Sequence, residues 1–123
     1  PDVTVASLVC GLLIDTLLVV NNYRDREADA RSGKQTIIVR FGEKFGRYFY
    51  LLLGISASLL CLYFLHEGHI YAALLPQFYL VPHVLTWRRM VKIHSGKKLN
   101  SILGETSRNM LFMGILLAIG MIL

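Results

Sequence analysis

The chain alternates between long apolar segments and short polar connectors. The apolar segments lie at about 3–20, 48–65, 70–86 and 106–123. A helix of about 18 residues rises about 27 Å, which approaches the hydrocarbon thickness of a bilayer. The pattern therefore predicts an all-α, polytopic membrane bundle with four transmembrane helices, formed as a single region.

The connector at 21–46 is expected to hold local structure. Residues 24–31 are good helix formers, so the first helix is predicted to continue through them and to end at Gly33. The run 36–41 is β-branched but has no partner strand, which favours a short interfacial helix or a structured loop. Pro76 and Pro82 should kink the third segment.

Composition and charge placement support a membrane location. Hydrophobic residues make up 54% of the 123 residues, and the mean hydropathy is +0.52. Of the thirteen Lys and Arg residues, seven lie in the first connector, six in the third and none in the second. With alternating spans, every fixed positive charge falls on one side, which the positive-inside rule predicts to be cytoplasmic. The net charge of +5 then reflects orientation in a plasma (inner) membrane and contact with lipid, not nucleic-acid binding.

A cluster of amides and carboxylates sits where the first apolar segment ends. Asp25 and Asp29 are four residues apart and share a helix face, with Asn21 and Asn22 one turn earlier. Two like charges at that spacing repel each other, and a bound cation would offset the repulsion. The sequence therefore predicts a magnesium site at Asp25 and Asp29.

Magnesium bound by only two carboxylates takes its other ligands from water and phosphate oxygens. Arg24, Lys34 and Arg40 lie close by in the sequence and could meet a polyphosphate. At a membrane surface, a diphosphate joined to an apolar tail points to a prenyl diphosphate. The alternative from composition alone is a solvated juxtamembrane helix of mixed charge.

The stretch from Asn21 to Gly42 matches the pattern NNxRDxxxDxxxGKxTxxVRxG. It resembles the second aspartate-rich motif of the UbiA superfamily of intramembrane prenyltransferases. Within that superfamily it is most similar to the 1,4-dihydroxy-2-naphthoate polyprenyltransferases of menaquinone biosynthesis. The matching positions are Asn21, Asn22, Arg24, Asp25, Asp29, Gly33, Lys34, Thr36, Val39, Arg40 and Gly42.

The resemblance implies a specific chemistry. Asp25 and Asp29 would bind Mg²⁺ that bridges to a prenyl diphosphate, and they would be the catalytic pair. The prenyl group would pass to 1,4-dihydroxy-2-naphthoate, with loss of diphosphate and CO₂, to give demethylmenaquinone. The substrate-binding residues implied are Asn21, Asn22, Arg24, Lys34 and Arg40.

The resemblance also implies that more protein is needed. Family members have nine transmembrane helices, and this motif lies between the sixth and the seventh. The first aspartate motif of the family has no counterpart here, and the chain begins with Pro1 instead of Met. We therefore expect a C-terminal fragment that is inactive without the N-terminal half of the enzyme.

Other interpretations stay open at this stage. Another UbiA-type aromatic prenyltransferase, or a non-catalytic membrane module with basic loops, would fit much of the pattern. A CDP-alcohol phosphotransferase is a weaker alternative, because only Asp29-Ala30-Arg31 resembles its motif. Asp15, inside the first segment, is either functional or a protonated hydrogen-bond donor between helices. His83 is predicted to make an interhelical hydrogen bond.

Overall fold

The computed structural model describes residues 2–123, and over that range it is all-α, with 88% helix and no strand. This confirms the predicted fold class. The helices are α1 (Asp2–Arg24), α2 (Arg26–Ser32), α3 (Ile37–Phe41), α4 (Glu43–Leu60), α5 (Tyr63–His66), α6 (Ile70–Leu74), α7 (Leu80–Ile93) and α8 (Asn100–Ile122), with 3₁₀ turns at Leu75–Tyr79 and Lys97–Leu99.

The long helices form an antiparallel bundle. Helix α1 packs against α4 and α8, and α7 packs against the same two helices from the opposite side. Three segments are long and apolar enough to cross a membrane: Val3–Arg24, Glu43–His66 and Lys97–Ile122. Helix α8 begins at Asn100, before the predicted position 106, which gives it 23 residues. A fourth crossing at 70–86 stays a prediction.

The segment 70–93 is divided by proline. Pro76 lies in the 3₁₀ turn that separates α6 from α7. The side-chain amide of Gln77 donates to the backbone carbonyl oxygens of Ala73 (2.9 Å) and Ser58 (2.8 Å). This side chain therefore satisfies two hydrogen-bond acceptors at the break. Pro82 lies in the first turn of α7, where proline is tolerated. At Pro76 the predicted distortion is therefore seen as a change of helix type, whereas no interruption of α7 occurs at Pro82.

Two buried clusters fill the bundle, one toward each end. The cluster near the connector 21–46 consists of Val19, Val20, Tyr23, Ile38, Tyr50, Leu53, Met90, Leu99 and Ile102. Many other apolar side chains on α1, α4, α7 and α8 are exposed in this chain, including Leu18 (53%) and Leu111 (66%). Apolar exposure on that scale is typical of a surface covered by lipid or by further protein.

A buried polar group joins α4 to α7. His83 is fully buried and its ring stacks between Tyr50 and Tyr79, with centroid distances of 4.9 and 5.1 Å. Its Nε2 lies 3.1 Å from the carbonyl oxygen of Leu51, which can only accept, so Nε2 donates. The Tyr79 hydroxyl lies 3.1 Å from Nδ1. The predicted interhelical hydrogen bond of His83 is confirmed.

Gly54 leaves the space that this histidine occupies. A Cβ at Gly54 would collide with the His83 ring, whereas a Cβ at Gly11 on α1 would meet no atom within 4 Å. We expect Gly54→Ala to lower the free energy of unfolding by about 1–3 kcal/mol, because the ring has no room to move. Thermal unfolding in detergent measures this, with Gly11→Ala as the matched control, and equal midpoints for the two variants would contradict it.

Local signals shape the connector in part as the sequence predicts. The prediction that the first helix continues unbroken to Gly33 is wrong, because α1 ends at Arg24 and a separate helix, α2, follows from Arg26 to Ser32. Gly33 ends α2 with φ +84°, a left-handed conformation that favours glycine. Thr36 then caps α3 by accepting a hydrogen bond from the Val39 amide at 3.2 Å. The prediction of a short helix at 36–41 is confirmed.

Candidate active site at the end of the first helix

The polar cluster lies at a break between α1 and α2. Asp25, with φ −92° and ψ 5°, lies between the two helices. The Asp25 amide donates to the carbonyl oxygen of Asn21 at 3.1 Å, and the Asp29 amide donates to that of Asp25 at 2.8 Å. Helical i to i+4 hydrogen bonding therefore continues across the break. Asp25 and Asp29 lie one turn apart along a nearly continuous helix.

Arg24 organises the side chains around Asp25. Its Nε and Nη2 donate to the two carboxylate oxygens of Asp25 at 2.9 and 3.1 Å. Nη2 also donates to the side-chain oxygen of Asn21 at 2.7 Å, and Nη1 donates to that of Asn100 at 3.0 Å. Asn100 begins α8, so Arg24 connects the motif to the final helix. The sequence pattern did not single out Asn100 for this contact.

The charge state of Asp25 follows from these neighbours. The hydrogen bond from Arg24, its positive charge and the charge of Lys34 hold the pKa of the Asp25 carboxyl below its ordinary value, although partial burial opposes the shift. Asp25 is therefore an anion at neutral pH, the form that a metal ion or a bound cation requires.

The other predicted residues surround this centre less tightly. The Asp29 carboxylate has no hydrogen-bond or ion-pair partner among residues 2–123, and its carbonyl oxygen accepts from the Lys34 amide at 2.9 Å. Arg40 is exposed on α3, where no side chain of the described range pairs with it. The structure thus brings Asn21, Arg24 and Asp25 into direct contact and leaves Asp29 and Arg40 available.

Two grooves run from the motif along α1. One has a volume of about 490 Å³ and is bordered by Asn21 at its polar end. Its remaining lining residues are Ile14, Leu17, Leu18, Leu103 and Ser107. The other has a volume of about 340 Å³ and includes both Asp15 and Asn22. Asn22 therefore borders a different groove from Asn21, although Leu18 lines both grooves. Asp15 lies exposed in the same groove as Asn22.

A second set of charges, which the sequence pattern did not indicate, fixes the break in place. Arg26 is only 8% exposed. It donates to the carbonyl oxygens of Tyr23 (2.7 Å) and His94 (2.9 Å), and it pairs with Glu43 at 3.1 Å. His94 Nε2 lies 3.1 Å from the same Glu43 carboxylate. The start of α2 is thereby joined to the start of α4 and the end of α7.

The donor set suits one kind of metal ion. No group of three His, Cys, Asp or Glu residues that could hold a metal occurs within residues 2–123. Structural zinc sites require four such ligands, whereas Mg²⁺ is commonly held by one or two carboxylates together with substrate phosphates. Asp25 and Asp29, with cationic side chains beside them, fit the second arrangement.

Comparison with known proteins identifies the family of this chain. The model of the UbiA prenyltransferase family matches residues 1–114. The chain belongs to the UbiA prenyltransferase family. The matched range includes Asn21, Arg24, Asp25 and Asp29.

Two curated relatives of this UbiA-family chain have the same enzyme name. The 1,4-dihydroxy-2-naphthoate octaprenyltransferase of Escherichia coli is 39% identical over 62 residues, which are 50% of this chain and 20% of the relative. The protein of the same name from Haemophilus influenzae is 45% identical over 51 residues, covering 42% and 16%. The matched segments span 20% and 16% of the two relatives, so each covers only a small part of the relative's length. No solved structure matches the chain.

Proposed function

We propose that this chain is part of a Mg²⁺-dependent prenyltransferase that joins a polyprenyl group to 1,4-dihydroxy-2-naphthoate. The observation that supports this most is the pair of carboxylates, Asp25 and Asp29, on successive helical turns within a UbiA-family segment. The names of the two curated relatives favour this aromatic acceptor over others.

Asp25 and Asp29 would hold the metal ion. Bound there with the diphosphate, Mg²⁺ would neutralise negative charge that develops on the leaving group. Lys34 and Arg40 are cationic and lack competing carboxylate partners in residues 2–123, so they are proposed to bind diphosphate oxygens or the acceptor's carboxylate. Asn21 and Arg24 orient the Asp25 carboxylate through their shared hydrogen bonds.

The prenyl chain is proposed to lie in the larger groove beside α1. The groove begins at Asn21, which is linked to the Asp25 carboxylate through Arg24, and continues between Ile14 and Leu103 along the surface of α1. A diphosphate held at the polar end would place its tail against these apolar side chains, which removes apolar surface from water. Asn22, which borders the smaller groove, would contact a substrate that approaches through that groove.

The prenyl diphosphate and the naphthoate together supply all the atoms and electrons of the proposed transfer. The C–O bond between the prenyl group and the diphosphate breaks, and the diphosphate leaves with the bonding electrons. The ring carbon that bears the carboxylate of the acceptor bonds to the prenyl carbon. Loss of that carboxylate as CO₂ restores the aromatic ring, which gives the quinol form of demethylmenaquinone. Lipid or further protein over the open groove would exclude water and protect the allylic cation from hydrolysis.

The rest of the active site is proposed to lie outside residues 1–123. The exposed apolar flank of α1 and the polar groups along it would face the N-terminal half of a nine-helix enzyme. We place the protein in the plasma (inner) membrane with both basic connectors in the cytoplasm, because Arg26 and His94 join those connectors at one end of the bundle.

The proposal is tested by product analysis with the full-length protein in bilayer vesicles. Supplied with a polyprenyl diphosphate, 1,4-dihydroxy-2-naphthoate and Mg²⁺, it should release diphosphate and CO₂ and form a prenylated naphthoquinol, identified by mass spectrometry. Transfer to another aromatic acid but not to the naphthoate would indicate a different UbiA-type enzyme. Absence of transfer to every aromatic acceptor would favour the non-catalytic membrane module.

A further inference from the structure

The cytoplasm-proximal half of α7 borders two basic grooves on the side of the bundle that lies across from α1. The groove between α4 and α7 has a volume of about 320 Å³. Its lining residues are Lys44, Arg47, Tyr48, Trp87 and Val91. The groove between α7 and the 3₁₀ turn Lys97–Leu99 is larger, about 590 Å³, and one of its three cations, Arg89, pairs with Glu105. Only the α4–α7 groove combines cations with aromatic side chains, which favours it as a site for an anion that carries an apolar part.

The cations of the α4–α7 groove have unused binding capacity. Arg47 Nε is buried and has no hydrogen-bond partner. The nearest carboxylate oxygen, on Glu43, lies 3.9 Å from Arg47 Nη2, beyond hydrogen-bond distance. Lys44 is exposed and pairs with no group of residues 2–123. The buried Nε is closed to the groove, but an anion between Lys44 and Arg47 would accept hydrogen bonds from the Lys44 ammonium and the Arg47 Nη groups, which donate to no group of residues 2–123.

The walls of this groove are aromatic and apolar. The Tyr48 and Trp87 rings lie 6.2 Å apart between centroids, and the Trp87 indole nitrogen donates to the Arg47 carbonyl oxygen at 2.7 Å. That hydrogen bond fixes the indole beside the cations. Tyr and Trp are the side chains that typically lie at the head-group level of a bilayer. Lys44 is also at the start of the apolar segment Glu43–His66, where a membrane span would meet the surface.

We propose that the α4–α7 groove binds the head group of an anionic phospholipid. The phosphate oxygens accept hydrogen bonds from Lys44 and Arg47, and an acyl chain lies against Tyr48 and Val91. Free phosphate would use the two cations but not the apolar wall, so the lipid makes more favourable contacts than the inorganic anion. A bound lipid at this position would hold the start of α4 and the end of α7 at the membrane surface.

Lipid titration of the full-length protein in detergent micelles tests the proposal. Phosphatidylglycerol, phosphatidylcholine and inorganic phosphate are added separately, and bound lipid is counted by native mass spectrometry. Wild-type protein should prefer phosphatidylglycerol to phosphatidylcholine. The Lys44→Gln/Arg47→Gln variant should bind phosphatidylglycerol roughly tenfold more weakly. Lys44→Gln alone, at an exposed position, should show a smaller loss with the fold intact.

Arg88→Gln/Lys97→Gln is the matched control. It removes two exposed charges at the same end of the bundle, and neither residue lines the groove. Its affinity for phosphatidylglycerol should stay within about twofold of wild type. Equal losses in both double variants would mean diffuse charge attraction and would overturn the proposal. Equal binding of the two lipids, or full competition by inorganic phosphate, would also overturn it.

Discussion

Asp29→Asn is expected to reduce prenyl transfer by the full-length protein by about a hundredfold or more, and Asp25→Asn by a similar factor. Each change keeps the side-chain shape but removes a negative charge from the proposed metal site. Loss of one preorganised group that stabilises transition-state charge commonly costs a factor of 10² to 10³. Initial rates measured at several Mg²⁺ concentrations give the effect.

Of the two substitutions, Asp29→Asn disturbs the surrounding contacts less. The Asp29 carboxylate has no protein partner within residues 2–123, so its removal leaves the described structure intact, whereas Asp25→Asn also weakens the contacts of Arg24. Glu27→Gln is the matched control, because Glu27 is an exposed acid on the same short helix. Its rate should stay within about twofold of wild type. A fully active Asp29→Asn protein would exclude Asp29 from the chemistry.

Arg26→Met should destabilise the protein by about 2–4 kcal/mol and lower activity with it. The change leaves the carbonyl oxygens of Tyr23 and His94 without their donor and removes one of the two partners that lie 3.1 Å from the Glu43 carboxylate. We expect the lower half of that range, because the Glu43 side chain is 41% exposed and water can replace part of the pair. Thermal unfolding in detergent measures the loss.

Arg31→Met provides the comparison for Arg26. Arg31 lies on the same helix, is exposed and has no partner in residues 2–123, so its replacement should change the unfolding midpoint little. Arg26→Lys should be intermediate, because a lysine keeps the charge but cannot reach both carbonyl oxygens with one planar group. If Arg26→Met and Arg31→Met unfold at the same temperature, the network around Glu43 does not stabilise the break.

Some of these features could be read from the sequence because their causes are local. The left-handed position at Gly33 and the cap at Thr36 each depend on one residue and its neighbours. The candidate residues could be selected because their spacing matches a family motif. Hydropathy similarly indicated an all-α membrane protein, since a continuous apolar segment of about 18 residues that crosses a bilayer satisfies its backbone hydrogen bonds as a helix.

Other features depend on packing between distant segments. Arg26 looked like one of several charges in a mixed stretch, and its partners Glu43 and His94 lie 17 and 68 positions away. The break at Asp25 involves neither glycine nor proline, so no helix-breaking residue marks it. Gly54 resembled an ordinary small residue in an apolar helix until His83 was seen to pack against it.

Asp25 and Asp29 are proposed to hold a prenyl diphosphate through Mg²⁺. The most direct measurement is calorimetric binding of an unreactive prenyl thiolodiphosphate to the full-length protein in detergent, with Mg²⁺ and with a chelator. We expect tight binding by wild-type protein only when Mg²⁺ is present. In Asp25→Asn/Asp29→Asn, Mg²⁺ should not increase the affinity. Equal binding by the two proteins, or wild-type binding that the chelator leaves unchanged, would contradict the proposal.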